Sequence, residues 1–323
     1  MHRGRLLAAL ASIGLLASSA AGAQNDRIAV LTALPPIYSM TAGLARDTNI
    51  DVRNVPEDGR RINALVGLLS QRGDRFADQF ANADAVVTMG KLWREDPLFT
   101  AVRMANVRVV DIDATKPWST TLEGISVAMQ PEQRVPWSDA GPAERRPSIF
   151  CWLSPANGAR MAEIIAQDLM RLSPADGAAI ERNLRELREA LLGLKLDYEL
   201  KLAELADVTV FALASEFVYL TTDMGLYVDG YFLKQDIDWT DADAAAFEHY
   251  LRDNAIGVVI HKWEPDARIQ AAIEQAGARL VVLDPIDAGI VEDDRLLESS
   301  YVDLLRADLE SLYTALRAAN QQR

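Results

Sequence analysis

Histidine and cysteine are scarce in this chain of 323 residues, which holds three histidines (His2, His249 and His261) and a single cysteine, Cys151. One cysteine excludes an internal disulfide, so the fold must hold by packing alone. With so little imidazole and thiolate, any metal site would depend on carboxylates. Basic residues are also in deficit, 33 Lys and Arg against 47 Asp and Glu, for a formal net charge of −14. An acidic surface repels phosphate backbones and argues against nucleic acid as a partner. The sequence has no G-x-S-x-G elbow, H-E-x-x-H pair, P-loop or G-x-G-x-x-G fingerprint in a strand-to-helix context. A nucleophilic pair of Cys151 with either downstream histidine would need a third, orienting group that nothing specifies. The chain does not read as an enzyme.

Long apolar runs are missing too, except at the start. There, Arg3 and Arg5 precede an apolar run from Leu6 to Leu16 and a small-residue ending, Ala21-Gly22-Ala23. This pattern predicts a secretory signal peptide over 1–23, cleaved before Gln24. The run is shorter than the roughly 20 residues a membrane helix needs. No cysteine follows the cleavage point to carry a lipid anchor. The expectation is a soluble, monomeric protein exported to the periplasm, with Cys151 as a free thiol.

Short β-branched runs alternate with longer helical stretches, in two halves. The first half contains RIAVLTA (27–33), IDVRNV (50–55), DAVVTM (84–89) and VRVVDI (107–112). The second contains DVTVFAL (207–213), YVDGYFL (227–233), IGVVIH (256–261) and RLVVLD (279–284). Continuous Val/Ile/Leu runs separated by helices read as buried parallel strands. The fold class expected is therefore α/β, in two lobes, each a roughly four-stranded, mainly parallel sheet flanked by helices.

Between the halves, Ile180, Leu184, Leu187, Leu191, Leu194, Tyr198, Leu202 and Leu205 recur at spacings of three and four. They predict one long helix over 173–205 that joins the lobes, with Ser173 as cap, Pro174 in the first turn and Asp176 completing the start. The lobes then span 24–172 and 206–323. The stretch 116–147, rich in proline and holding Trp118 and Trp137, reads as a long excursion near the lobe junction.

Six segments stand out when taken in order: LTALPPIYSMTAGLARDT (31–48), ANADAVVTMGKLWREDPLF (81–99), CWLSPANGARMAEIIAQDL (151–169), EFVYL (216–220), GARLVVLDP (277–285) and SSYVDLLRADLESLYTAL (299–316). In their order and spacing they resemble the zinc and manganese solute-binding proteins of ABC transporters. The resemblance implies capture of a divalent transition metal, zinc or manganese, between the lobes and its delivery to a membrane permease.

The chain departs from the family where metal should bind. No histidine lies between Val55 and Arg75, where only Glu57, Asp58 and Asp74 offer oxygen. Phe150 stands where relatives place a histidine at the head of the W-L-D-P loop. A third ligand position aligns with Ala214, or with Glu216 after a small loop adjustment, and the fourth is Asp284. His261 ends a predicted strand, and ligands gather at the carboxyl ends of such strands.

The candidate metal ligands are thus Asp284, Glu216 and His261, two carboxylates and one imidazole from one lobe. Such a set suits a harder ion than zinc, or zinc completed by water. Each has a plainer reading: Asp284 as a turn cap before Pro285, Glu216 as an ion-pair partner, and His261, beside Lys262, as a structural histidine. The second functional reading is a divergent cleft of the same fold for a small organic molecule, a metal complex or a protein partner. Trp118, Trp137, Trp239 and Trp263 could line it, or could serve packing.

Overall fold

The computed structural model describes residues 27–138 and 145–322. The leader expected over 1–23 and a short part of the 116–147 excursion lie outside these residues. None of the described helices is long and apolar enough to cross a membrane.

The first lobe contains β1 (Ile28–Thr32), α1 (Pro35–Leu44), β2 (Ile50–Asn54), α2 (Ile62–Arg72), α3 (Ala77–Ala81), β3 (Ala85–Thr88), α4 (Leu98–Ala105), β4 (Val110–Asp113) and α5 (Pro155–Leu172). Its strands are all parallel, in the order β2-β1-β3-β4. After α6 (Gly177–Ala203) the second lobe follows with β5 (Thr209–Ala212), α7 (Val218–Asp223), β6 (Tyr227–Tyr231), α8 (Asp241–Asp253), β7 (Val258–His261), α9 (Ala267–Gln275) and β8 (Arg279–Val282). A short hairpin, β9 (Val291–Glu292) and β10 (Arg295–Leu296), and the long α10 (Ser300–Gln321) complete the chain. The second sheet repeats the pattern of the first, parallel in the order β6-β5-β7-β8.

Eight predicted strands correspond to eight observed ones, with ends that differ by up to three residues: β4 starts at Val110 and runs one residue past its predicted end, to Asp113. The residues of β3 and β7 are buried throughout, as expected of central parallel strands. The outer strands β2 and β4 also carry polar residues into the sheet, Asp51, Arg53 and Asn54 in the one and Asp111 and Asp113 in the other.

The long connecting helix is shorter than its periodicity predicts. Ser173 donates its hydroxyl to the Asp176 carboxylate at 2.6 Å instead of capping, and Pro174–Asp176 form a 3-10 turn before α6 begins. At about 1.5 Å per residue, the 27 residues of α6 extend roughly 40 Å. Ile180, Leu191, Leu194, Tyr198 and Leu202 face inward, whereas Leu192, Leu196 and Leu200 are exposed on the opposite side.

The lobes share one continuous apolar core that runs from β1 and α1 through α5 and α6 to β5, β7 and α10. Polar contacts lock the same junction. Trp152, fully buried, donates its Nε1–H to the Pro285 carbonyl at 2.8 Å, and the Tyr301 hydroxyl donates to the Trp152 carbonyl at 2.6 Å. Ser154 caps α5 through the Asn157 amide and donates to Asp223 at 2.7 Å. The excursion crosses to the second lobe, where Arg134 and Tyr231 exchange backbone hydrogen bonds at 2.8 and 3.2 Å. Trp137 then packs against Phe211, Phe232, Phe247 and Tyr250.

Candidate functional site

In the second lobe β5 lies between β6 and β7, so the chain leaves β5 toward one side of the sheet and later returns on the other. The crevice at the carboxyl ends of strands at such a switch point is where ligands collect in α/β sheets. Here the loop after β5 supplies Ala214, Ser215 and Glu216, and the end of β7 supplies His261, Lys262 and Trp263. The segment after β6 adds Lys234, Asp236 and Ile237, and Asn63 of α2 faces them from the first lobe. Together they enclose a cleft of about 560 Å³.

His261 is held at the cleft wall by its strand: its carbonyl accepts from the Leu283 amide at 2.8 Å, and the residue is 3% exposed. Neither ring nitrogen has a hydrogen-bond partner. Nε2 stands 3.6 Å from Asp236 Oδ1, too far for a hydrogen bond. Burial pushes the imidazole pKa below its ordinary value, against an opposing pull from the Asp236 carboxylate, and so favours the neutral ring with its lone pair. The ring meets Trp263 edge to face, with centroids 4.8 Å apart. Asp236 Oδ2 accepts from Trp263 Nε1 at 3.1 Å.

Glu216 is 9% exposed; its Oε1 accepts from Lys262 Nζ, while Oε2 is buried without a partner. The same ammonium lies 4.6 Å from the centroid of the Trp263 ring. Lys234 is tied to Asp243 at 2.8 Å. Two buried donors with open lone pairs thus share one wall with a positive charge.

Of the three candidate ligands, the structure brings Glu216 and His261 to this cleft and leaves Asp284 out of its lining. Asp284 Oδ1 accepts from the Ile286 amide at 2.7 Å, closing the turn around Pro285, and its own amide donates to Asp308 at 2.9 Å. The expected three-donor set is therefore not assembled in one place. Among the described residues, no group of three or more His, Cys, Asp or Glu side chains is arranged to hold a metal ion.

The first lobe does not fill the gap. Glu57 pairs with Arg295 at 3.8 Å and Asp58 with Arg60, and neither they nor Asp74 line the cleft. Phe150 turns its ring edge to face onto Trp152, with centroids 5.3 Å apart. Ala214 lines the cleft with a methyl group. Cys151 is fully buried, its Sγ 3.7 Å from Met161 Sδ, and burial pushes its thiol pKa up, so it is no ligand. Of the four candidate tryptophans only Trp263 borders the cleft. Trp137 and Trp239 join the aromatic core, and Trp118 donates to the Asp111 carbonyl. His249 is exposed on α8.

Lys262 and Asp236 are among the cleft residues to which sequence reasoning assigns no role. Lys262 is visible in the sequence only as a charge beside His261. Asp236 sits in the irregular segment after β6, where periodicity offers no signal.

Comparison with known proteins gives the same fold. The family described as "Zinc-uptake complex component A periplasmic" matches residues 30–315. The zinc-binding lipoprotein AdcA of Streptococcus pneumoniae is 24% identical over 165 residues, which is half of this chain but about a third of that protein. Among solved structures, a mutant of FpvC from Pseudomonas aeruginosa aligns with a TM-score of 0.69 at 17% identity, over 90% of this chain and 99% of that one. A manganese-bound mutant of a periplasmic metal-binding protein from Candidatus Liberibacter asiaticus aligns at 0.66 and 20% identity, over 89% and 99%. Zinc-bound AdcA aligns at 0.66 and 18% over 90% of this chain and 57% of that one. At these identities the structures speak to the fold alone.

Proposed function

The chain belongs to the ZnuA family of periplasmic zinc-uptake components, and from that premise we propose that it is the solute-binding component of an ABC transporter for a divalent transition metal. Exported by its leader, it takes zinc or manganese in the cleft at the carboxyl ends of β5 and β7 and passes it to a membrane permease. His261 and Glu216 are the donors in this reading, and Asp236 supplies a negative charge close to the imidazole.

One observation carries the reading: both ring nitrogens of His261 and Oε2 of Glu216 are buried without partners on the same cleft wall. Buried polar atoms left unpaired are costly and rare. A cation in the cleft would give an imidazole nitrogen and the carboxylate their missing contact. One imidazole and one carboxylate leave room in the coordination sphere, which manganese fills readily with water or other oxygen ligands and zinc does less well.

The joint that the two lobes share limits what binding can move. Trp152, Pro285 and Tyr301 tie the lobes through a buried chain of hydrogen bonds, so capture would rely on loops at the cleft and a small tilt of the lobes, not on wide closure.

The test uses purified exported chain stripped with chelator. Uptake of Zn²⁺ or Mn²⁺ at micromolar concentration, with a rise in melting temperature, is expected. Both should be lost in His261→Ala and Glu216→Ala. Asp284→Ala should keep binding and lose stability instead. If neither metal binds nor stabilises the protein, in any form of supply, the metal reading is abandoned.

A further inference from the structure

Resting on the metal-uptake reading, we propose that the cargo enters this cleft as a metal complex of a small anionic organic chelator, not as a bare ion. His261 completes the coordination of the metal, and Lys262 faces the carboxylates of the chelator.

Four features of the cleft support this. The first is the shortage of protein donors. Zinc sites commonly use four ligands, and a solvent-exchanging site three. Here the wall offers His261, one free oxygen of Glu216 and the Asp236 carboxylate, which already accepts from Trp263, and among the described residues no three such donors are arranged to hold a metal. A chelator that travels with the metal would supply the missing ligands.

The second is charge. Lys262 occupies Oε1 of Glu216 and leans over Trp263. An ammonium in that place neutralises Glu216, one of the two carboxylates that line the cleft, and adds a like charge beside the path of a dication. The same ammonium favours a complex whose chelator carries excess negative charge, because it can swing from Glu216 to an incoming carboxylate. The second lysine of the cleft, Lys234, is paired with Asp243 outside the cleft lining, whereas the partner of Lys262 is a cleft carboxylate that an incoming one can replace.

The third is size. A water molecule takes about 30 Å³ of liquid volume, so the roughly 560 Å³ of this cleft exceeds what a metal with a few waters fills. It matches the lower range of small-molecule sites.

The fourth is the rim. Ile237 is 88% exposed and Trp263 45%, both at the cleft. A bare ion gains nothing from an isoleucine and an indole at its entrance, whereas the carbon skeleton of a chelator can be covered by them.

The experiment compares, by calorimetry and by tryptophan fluorescence, the chelator-stripped protein titrated with Zn²⁺ or Mn²⁺, with citrate or nitrilotriacetate, and with preformed one-to-one complexes of these. Nitrilotriacetate leaves coordination positions open that an imidazole can take. The complexes should bind at least tenfold tighter than either component alone. Lys262→Met should erase that advantage, Lys262→Arg should keep it, and His261→Ala should lose the complex. Unchanged circular dichroism melts in the Arg variant serve as the folding control. If the bare ion binds as tightly as its complexes and Lys262→Met tightens it, the inference fails while the metal-uptake reading stands. If the chelators bind equally with and without metal, or if nothing binds, both fall.

Discussion

Lys262 sets its ammonium on Oε1 of Glu216, closing an ion pair between the end of β7 and the loop after β5, two strands that lie side by side. The pair is partly buried, the side chains 26% and 11% exposed. It places a positive charge of the protein's own in the cleft of a metal-uptake family member. Lys262→Met would leave the Glu216 carboxylate enclosed without its counter-charge, and we expect a loss of about 1–3 kcal/mol in urea unfolding. Glu216→Gln, which keeps a polar group against the lysine, should cost less. Equal stability of all three proteins would show that the pair is not formed in solution.

Cys151 tests the burial of the loop before α5. Its thiol is fully enclosed, near Met161, and its pKa is pushed up by desolvation. A thiol without access or thiolate character does not react. Ellman's reagent should therefore find no titratable thiol in the native protein and one per chain in denaturant. Rapid labelling of native protein would mean that the joint around Trp152 opens readily.

Gly158 and Tyr301 test the joint itself. A Cβ built on Gly158 would lie 2.2 Å from the Tyr301 hydroxyl oxygen, and Tyr301 is pinned there by its bond to the Trp152 carbonyl. The tyrosine is 1% exposed and has nowhere to retreat. Gly158→Ala should thus destabilise by about 3 kcal/mol or more, although alanine is otherwise the better helix residue. Gly158→Ala combined with Tyr301→Phe should recover part of the loss, because the clashing oxygen is gone. A stabilised Gly158→Ala variant would contradict the packing described.

The lobes and the long helix could be read from the sequence because buried parallel strands need unbroken apolar runs, and a helix packed along one side needs its three-and-four spacing. The hairpin of β9 and β10 could not: its strands are two residues each, and its turn is Asp293-Asp294, both at positive φ, without the glycine that usually announces such a turn. In the site, His261 was legible from its place at a strand end. The divergence of Asp284 was not, since whether a carboxylate caps a turn or faces a cleft depends on where the Ile286 amide points. The Lys262–Glu216 pair joins residues 46 apart in sequence. Only the sheet order β5-β7 brings them together, and no local pattern encodes that.

Asp96 gives the fold a measurable pH dependence away from the cleft. Desolvation raises its pKa to about 6, against hydrogen bonds from the Met89 and Leu98 amides that favour the charged form, and the neighbouring carboxylates of Asp111 and Asp113 add to the rise. In the unfolded chain an aspartate titrates near about 3.9. Between these values the native state holds a proton that the unfolded state has released. The contribution of Asp96 to stability is then greatest below about pH 4 and declines as pH rises toward about 6, with no further change above. Other buried carboxylates, Asp308 with a pKa of about 8 among them, slope the same way, so the informative quantity is the difference between wild type and Asp96→Asn. That difference should change in favour of the variant from about pH 4 to about pH 6 and then stay level. A carbon-detected NMR titration of Asp96 with a midpoint near about 4, the value of an unperturbed aspartate, would remove the physical basis for it.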